Sequence, residues 1–265
     1  WRFRAAPEPR WFMAFDQVES AWPVTGTVLV QNGYVYCVAG RSSYLDGGLH
    51  VYRLDPVTGE MLAHNRFYSR EPDTGEQKKN IANGMNMDGA KPGVLSSDGR
   101  SVFLRQMALD MKTLKRRHTF AETFDTEKDW NKRHTWGHQR YQDPEKNPHL
   151  FSPIGLLDDS WWHRSYWMYG TFFQASCPWM NAAVYAPSGQ IMSISDSMAY
   201  GYGRRPEFWG WWTGHEYQLF AAPKRVTPGE MRDRRRRRPE KWQGRIFLGP
   251  YGTRVVYKWR KKLPF

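Results

Sequence analysis

Three short stretches of this chain combine residue types that could do chemistry, and a fourth concentrates charge. Asp158-Asp159 precedes His163-Arg164, with Tyr169 a few residues on. Adjacent carboxylates followed by an imidazole could hold a cation or exchange protons, which makes Asp158, Asp159, His163 and Tyr169 the catalytic candidates and Arg164 a ligand-binding one. The same order of residues also describes an acidic turn feeding a strand, because Asp accepts backbone N–H bonds in turns, and that is the simpler reading. Arg41 and Asp46 sit in the loop RSSYLDGG. Either Arg41 forks onto a carboxylate or sulfate while Asp46 orients it, or the two pair with each other and hold the loop. Asp88 and Lys91 place an acid beside a cation just before a strand, where capping is the simpler role. Arg234, Arg235, Arg236, Arg237 and Arg238 form an uninterrupted basic run. Such a run attracts anions in a salt-dependent, sequence-indifferent way. No aromatic is interleaved in it and no nucleic-acid module precedes it, so it reads either as a solvated surface loop or as a site for an anionic partner such as acidic polysaccharide, lipid headgroups or an acidic protein, rather than for a specific nucleic acid.

Metal and thiol chemistry find less support. His134 and His138 have the spacing of a helical zinc pair, but Gly137 lies between them and no Glu follows His134, so no metal is assigned. Cys37 and Cys177 make neither a disulfide framework nor a metal site by spacing. Cys37 lies in a strand pattern, where a small buried hydrophobe is expected.

The elements that must position these residues are β-strands. In Gly26–Leu62, Val28-Leu29-Val30 and Tyr34–Val38 are joined through Asn32-Gly33, the pair that most cheaply forms a type I′ hairpin turn. A third run covers Leu49–Leu54. Asp55-Pro56-Val57-Thr58-Gly59 then predicts a tight turn, and a fourth run starts at Glu60-Met61-Leu62-Ala63. Four strands in roughly 40 residues is the period of a propeller blade. A degenerate copy follows: Val94–Gly99 aligns with Val28–Gly33, Val102-Phe103-Leu104 is the returning strand, and Leu109–Thr113 aligns with Leu54–Thr58. Leu156-Leu157, the acidic pair and the aromatic run to Gly170 repeat the hairpin logic. Ala182–Tyr185, a turn at Ala186–Gly189 and Gln190–Ile194 predict a later unit, and Glu216–Ala221, Gly244–Leu248 and Val255–Trp259 supply further strands. Residues 1–23, with three prolines and no clean period, read as an irregular connection in which Arg2, Arg4 and Arg10 are solvated and Glu19 caps a turn.

The segments V-x-V-Q-N-G-x-V-Y and L-D-P-x-T-G-E-x-L resemble the repeat of quinoprotein-like (PQQ-like) β-propellers, and the longer stretch SAWPVTGTVLVQNGYVYCVAGRSSYLDGG is similar to bacterial proteins built from PQQ-like repeats. That superfamily includes pyrroloquinoline-quinone alcohol dehydrogenases and an outer-membrane assembly lipoprotein that binds no cofactor. The resemblance implies an all-β fold: one domain over residues 1–265, or a fragment of one, made of four-stranded antiparallel blades. Four to five are visible, with insertions near 68–92, 115–147 and 224–243. Two departures stand out. Met61, Leu62 and Ala63 occupy the place of the repeat's blade-docking Trp, and the adjacent cysteine pair of the dehydrogenases is absent.

Composition narrows the function. Fourteen each of Trp, Tyr and Phe fit aromatic wedges between blades, with a carbohydrate-binding surface as the sharper alternative. The net charge is +13, of which +12 falls in residues 224–262, so the basicity belongs to one late segment. No run reaches the ~20 apolar residues of a membrane span. The expected function is a non-catalytic binding or scaffold propeller, periplasmic or extracellular by resemblance, holding a protein or an anionic glycan on its loop face. Other chains could complete the ring. The alternatives are a dehydrogenase using PQQ and Ca²⁺ to oxidise an alcohol or sugar and, behind it, a propeller hydrolase or lyase.

Overall fold

The computed structural model describes residues 1–14, 16–26, 28–71, 73–76, 82–83, 86–87, 93–104, 107–117, 149–152, 167–170, 183, 186–205, 217–224, 255 and 257–262. The chain forms two compact units, Trp1–Asn83 with Met87–Phe124, and Gly84–Asn86 with Asp125–Phe265. Both are all-β: among the described residues every regular element is a strand, and the sheets are small and antiparallel.

In the first unit, β1 (Trp11–Ala14) and β2 (Gln17–Ser20) form a hairpin where residues 1–23 had read as irregular. Its alternation was hidden because the outward positions are also apolar: Trp11, Met13 and Val18 are exposed while Phe12 packs inward. Glu19 pairs with Phe12 in the ladder and so is a strand residue, not a turn cap.

The central sheet is a meander of β3 (Leu29–Gln31), β4 (Tyr34–Ala39), β5 (Leu49–Leu54) and β6 (Met61–Phe67). Asn32 and Gly33 take φ of 51° and 76°, as a type I′ turn requires. At the next turn one Asp55 carboxylate oxygen accepts bonds from the N–H groups of Val57 and Thr58 and from the Thr58 hydroxyl, and Gly59 takes φ 75°. An indole does lie against this turn, that of Trp1, which donates to the Pro56 carbonyl at 3.0 Å.

After the two-residue strands β7 (Ala82–Asn83) and β8 (Asn86–Met87), the degenerate copy appears as β9 (Leu95–Ser97), β10 (Ser101–Leu104) and β11 (Met107–Asp110). Asp110 repeats the role of Asp55, accepting from Lys112, Thr113 and the Thr113 hydroxyl, and Leu114 holds the left-handed place of Gly59 at φ 58°. The first hairpin of the copy differs. Ser97 pairs with Val102, so its loop is longer than the Asn32-Gly33 turn, and of Asp98-Gly99 only Gly99 has positive φ. Glu71–Glu76 makes the same pair of backbone bonds as Asp55–Glu60, a third use of the P-x-T-G-E turn inside a stretch expected to be an insertion.

Because side chains alternate across a strand, the central sheet buries both faces. Tyr36, Val38, Leu49, Val51 and Phe67 meet Leu95, Val102, Leu104, Leu109 and Leu114 of the copy. Val35, Cys37, Ala39, Tyr52 and Leu54 meet Ala5, Ala21, Trp22, Phe3 and Phe12. The meander places the Asn32-Gly33 and Asp55 turns, with their counterparts at Asp98-Gly99 and Asp110 in the copy, at one end of the strands and the β4–β5 loop at the other.

The second unit contains β12 (His149–Phe151), β13 (Trp167–Gly170) and β14 (Ser188–Gly189) in one sheet, and β15 (Ile191–Ile194), β16 (Met198–Arg204), β17 (Tyr217–Pro223) and β18 (Trp259–Lys262) in another. β13 is the expected aromatic return strand, but its neighbours are β12 and β14, not Leu156-Leu157. Ser188-Gly189, expected in a turn, is a strand: Tyr169 donates to the Pro187 carbonyl and draws that segment onto β13. β16 escaped the sequence reading because Gly201 and Gly203 interrupt its pattern. Both are required by space, since a Cβ at Gly201 would stand 2.6 Å from Phe220 Cζ and one at Gly203 would meet the Ser188 carbonyl. Gly244–Leu248 lies outside the described residues.

Candidate functional site

The β4–β5 loop, at the end away from the tight turns, gathers the charged and aromatic groups of the first unit. Asp46, Gly47 and Gly48 all have positive φ, which folds the loop back sharply. Asp46 pays a backbone cost for this that a non-glycine rarely accepts. Its carboxylate is 6% exposed and is held from two sides. Oδ1 takes Arg10, from the segment before β1, and Oδ2 takes Arg41 Nε at 3.0 Å and Nη2 at 2.5 Å. The guanidiniums rest on aromatic rings, Arg41 over Phe12 at 4.0 Å and Arg10 over Trp22 at 5.4 Å. Two guanidiniums share the shielded Asp46, and Glu8 is a second, exposed anion beside Arg10. Arg10 stays 53% exposed and Arg41 34% exposed, and Glu8 reaches Arg10 only at 4.0 Å. The loop is fastened from below by Ser43 and Ser69, whose hydroxyls meet at 2.8 Å.

Beside this pair, in the same unit, lies an imidazole couple that the register of the hairpin creates. His64 stands opposite Tyr52, and His50 is the diagonal neighbour. His50 Nδ1 and His64 Nε2 are 2.9 Å apart, with the rings 5° from parallel and centroids 5.1 Å apart. That combination is two near-coplanar imidazoles joined edge to edge by one N–H···N bond. Tyr52 is parallel to His64 at 4.8 Å and donates its hydroxyl to the Ala5 carbonyl, and Trp22 meets His50 edge-on. Burial, then the charges of His64 and Arg66, push His50 down to about 4, and burial with Arg66 lowers His64 as well. Burial likewise raises the Cys37 thiol to about 11 and the Tyr52 hydroxyl to about 12. These groups are neutral near pH 7, so the charge at this end is that of the arginines.

The sequence candidates divide accordingly. Arg41 and Asp46 are brought together and paired. Tyr169 is in β13, 4% exposed, against Ala199, with Lys224 Nζ 5.6 Å from its ring centre. Asp158, Asp159, His163, Arg164, Asp88, Lys91 and Arg234–Arg238 lie outside the described residues, as do His134, His138 and Cys177. Arg10, taken from sequence as solvated, is instead Asp46's second partner. Trp22, His50 and His64 were passed over. The two histidines could have been found by counting outward from the Asp55 turn, which puts them near one another on adjacent strands.

Among the described residues no three His, Cys, Asp or Glu side chains converge as for a metal, and no helix is long and apolar enough to cross a membrane. The chain matches no protein-family model, no curated protein and no solved structure.

Proposed function

We propose that this protein is a non-catalytic binding module built from quinoprotein-like propeller blades, acting outside the cytoplasm, and that it holds an anionic group of a partner at the long-loop end of its central sheet. The observation that carries the reading is the Asp46 arrangement. One nearly buried carboxylate fixes two half-exposed guanidiniums on aromatic supports, so their remaining N–H groups face solvent already oriented. A pre-ordered arginine fork binds carboxylate or sulfate without losing the side-chain entropy that a free arginine would lose. The meander sheets, stacked through apolar faces with tight turns at one end, support the blade reading. The Arg234–Arg238 run supports an anionic partner by its charge.

The dehydrogenase alternative would need a quinone held with calcium, and Asp46 does not suit that cation. Asp46, the shielded acid of the long-loop end, has both oxygens on guanidiniums, whose positive charge repels a cation.

Chromatography on a sulfated polysaccharide matrix tests the proposal. The protein should be retained, and Arg10→Gln with Arg41→Gln should elute at distinctly lower salt. Arg10→Lys with Arg41→Lys, which keeps the charge and loses the fork, should fall between the two. Elution of the Gln variant together with the unaltered protein would refute the assignment.

A further inference from the structure

The sheet β15–β18 carries a second surface, independent of the arginine pair. Its ladder puts Ser193, Tyr200, Ala221 and Trp259 in one cross-strand row on one face, and Ile191, Tyr202, Leu219 and Lys261 in the next row of that face. The opposite face is core: Ala199, Phe220 and Ala222 are fully buried. On the first face Ala221 is fully buried as well, while the larger side chains around it stay partly exposed. Trp259 is 48% exposed, Tyr200 39%, Leu219 38% and Ile191 69%. Tyr202 is stacked on Tyr217 at 5.1 Å, which stiffens the platform, and Gln190 reaches the Tyr217 hydroxyl. Neighbouring strands lie about 4.8 Å apart, so Tyr200 and Trp259, two strands apart, stand about 10 Å apart with only a methyl between them. Two partly exposed rings in one cross-strand row, with the buried Ala221 between them, offer stacking faces along one line. Lys261, exposed, stands on the edge strand two residues from Trp259 and on the same face, and the exposed Lys258 immediately precedes that strand.

We propose that this face binds an extended acidic polysaccharide, with alternate sugar rings lying on Tyr200 and Trp259 and the intervening carboxylates directed to Lys261. The C–H faces of pyranose rings cover the aromatic rings, and an extended chain of sugars matches a row of rings better than the curved, interdigitated apolar surface of a folded protein does. The cations lie along one edge of the aromatic row, where the charged groups of such a chain emerge. This assignment does not depend on the arginine pair and stands if that reading fails.

Affinity electrophoresis through gels containing alginate, with hydroxyethyl cellulose as the neutral comparison, tests it. The protein should be retarded by alginate and much less by the neutral polymer. Trp259→Ala should weaken the interaction about tenfold, since one stacked ring is lost. Trp259→Phe should keep most of it. Lys261→Ala should weaken binding to alginate alone. Free migration of the unaltered protein in alginate, or equal retardation of a Trp259→Ala variant with unchanged circular dichroism, would overturn the proposal. Equal retardation by the neutral polymer would overturn the acidic assignment, and capture of an acidic protein with no retardation by either polymer would place a protein partner on this face instead.

Discussion

At the scale of single residues, the loop at Arg41 and the histidine couple make opposite demands on charge. Asp46 is the anion that keeps two arginines oriented, so Asp46→Asn should leave them repelling one another and lower stability by about 1–3 kcal/mol in a urea titration, the cost of unpairing a shielded charged hydrogen bond. The histidines are held neutral. An unfolded His binds its proton near pH 6.5, whereas His50 in the fold does so at about 4. Between those values the unfolded chain carries more protons, so stability present at pH 7 should fall as the pH is lowered through that window. Urea midpoints at pH 7 and pH 5 should therefore differ for the unaltered protein and differ much less for His50→Gln. Cys37 should behave as a shielded, protonated thiol. With Cys177 replaced by Ser, thiol reagents should label it slowly in the native protein and fully in denaturant. Arg41 with Asp46 was legible from the sequence as a pair, because they share one loop. Arg10 was not, because nothing local tells an arginine before β1 that its acid lies in the loop after β4.

At the scale of elements, turn chemistry explains most of what the sequence predicted well. Asn32-Gly33 and the D-P-x-T-G turn mark their strands by positive φ and side-chain caps, and the copy at Leu109–Thr113 keeps the Asp and Thr even where Leu114 replaces Gly. Losing the Asp55 cap should lower the unfolding midpoint of Asp55→Ala, and its carboxylate, held below the usual range by the N–H groups of Thr58 and Val57, should contribute stability that disappears only in acid. The misses were strands with apolar residues on both sides, such as β1, and strands thinned by glycine, such as β16. Their patterns are set by neighbours distant in sequence, Phe220 and Ser188 in the case of Gly201 and Gly203. Gly203→Ala should consequently destabilise the protein, as measured by thermal melting, despite the ~0.5–1 kcal/mol by which Ala is ordinarily favoured over Gly in a strand, whereas removal of the Leu104 side chain to Ala should cost about 2–5 kcal/mol through the cavity it leaves between the two stacked sheets.

At the scale of the molecule, the fold is a set of small antiparallel meanders, and the all-β class followed directly from turn spacing and β-branched runs. What could not be read was which polar groups meet. Residues from the start of the chain, the β4–β5 loop and the ends of two strands converge only once the meander is formed. This convergence is the proposed anion-binding end. Arginine footprinting tests it most directly: the protein is treated with phenylglyoxal with and without a sulfated oligosaccharide, and the modified sites are mapped by mass spectrometry. The oligosaccharide should protect Arg10 and Arg41 together. Unchanged modification of both, with protection confined to Arg234–Arg238, would contradict it and assign the anion to the basic run alone.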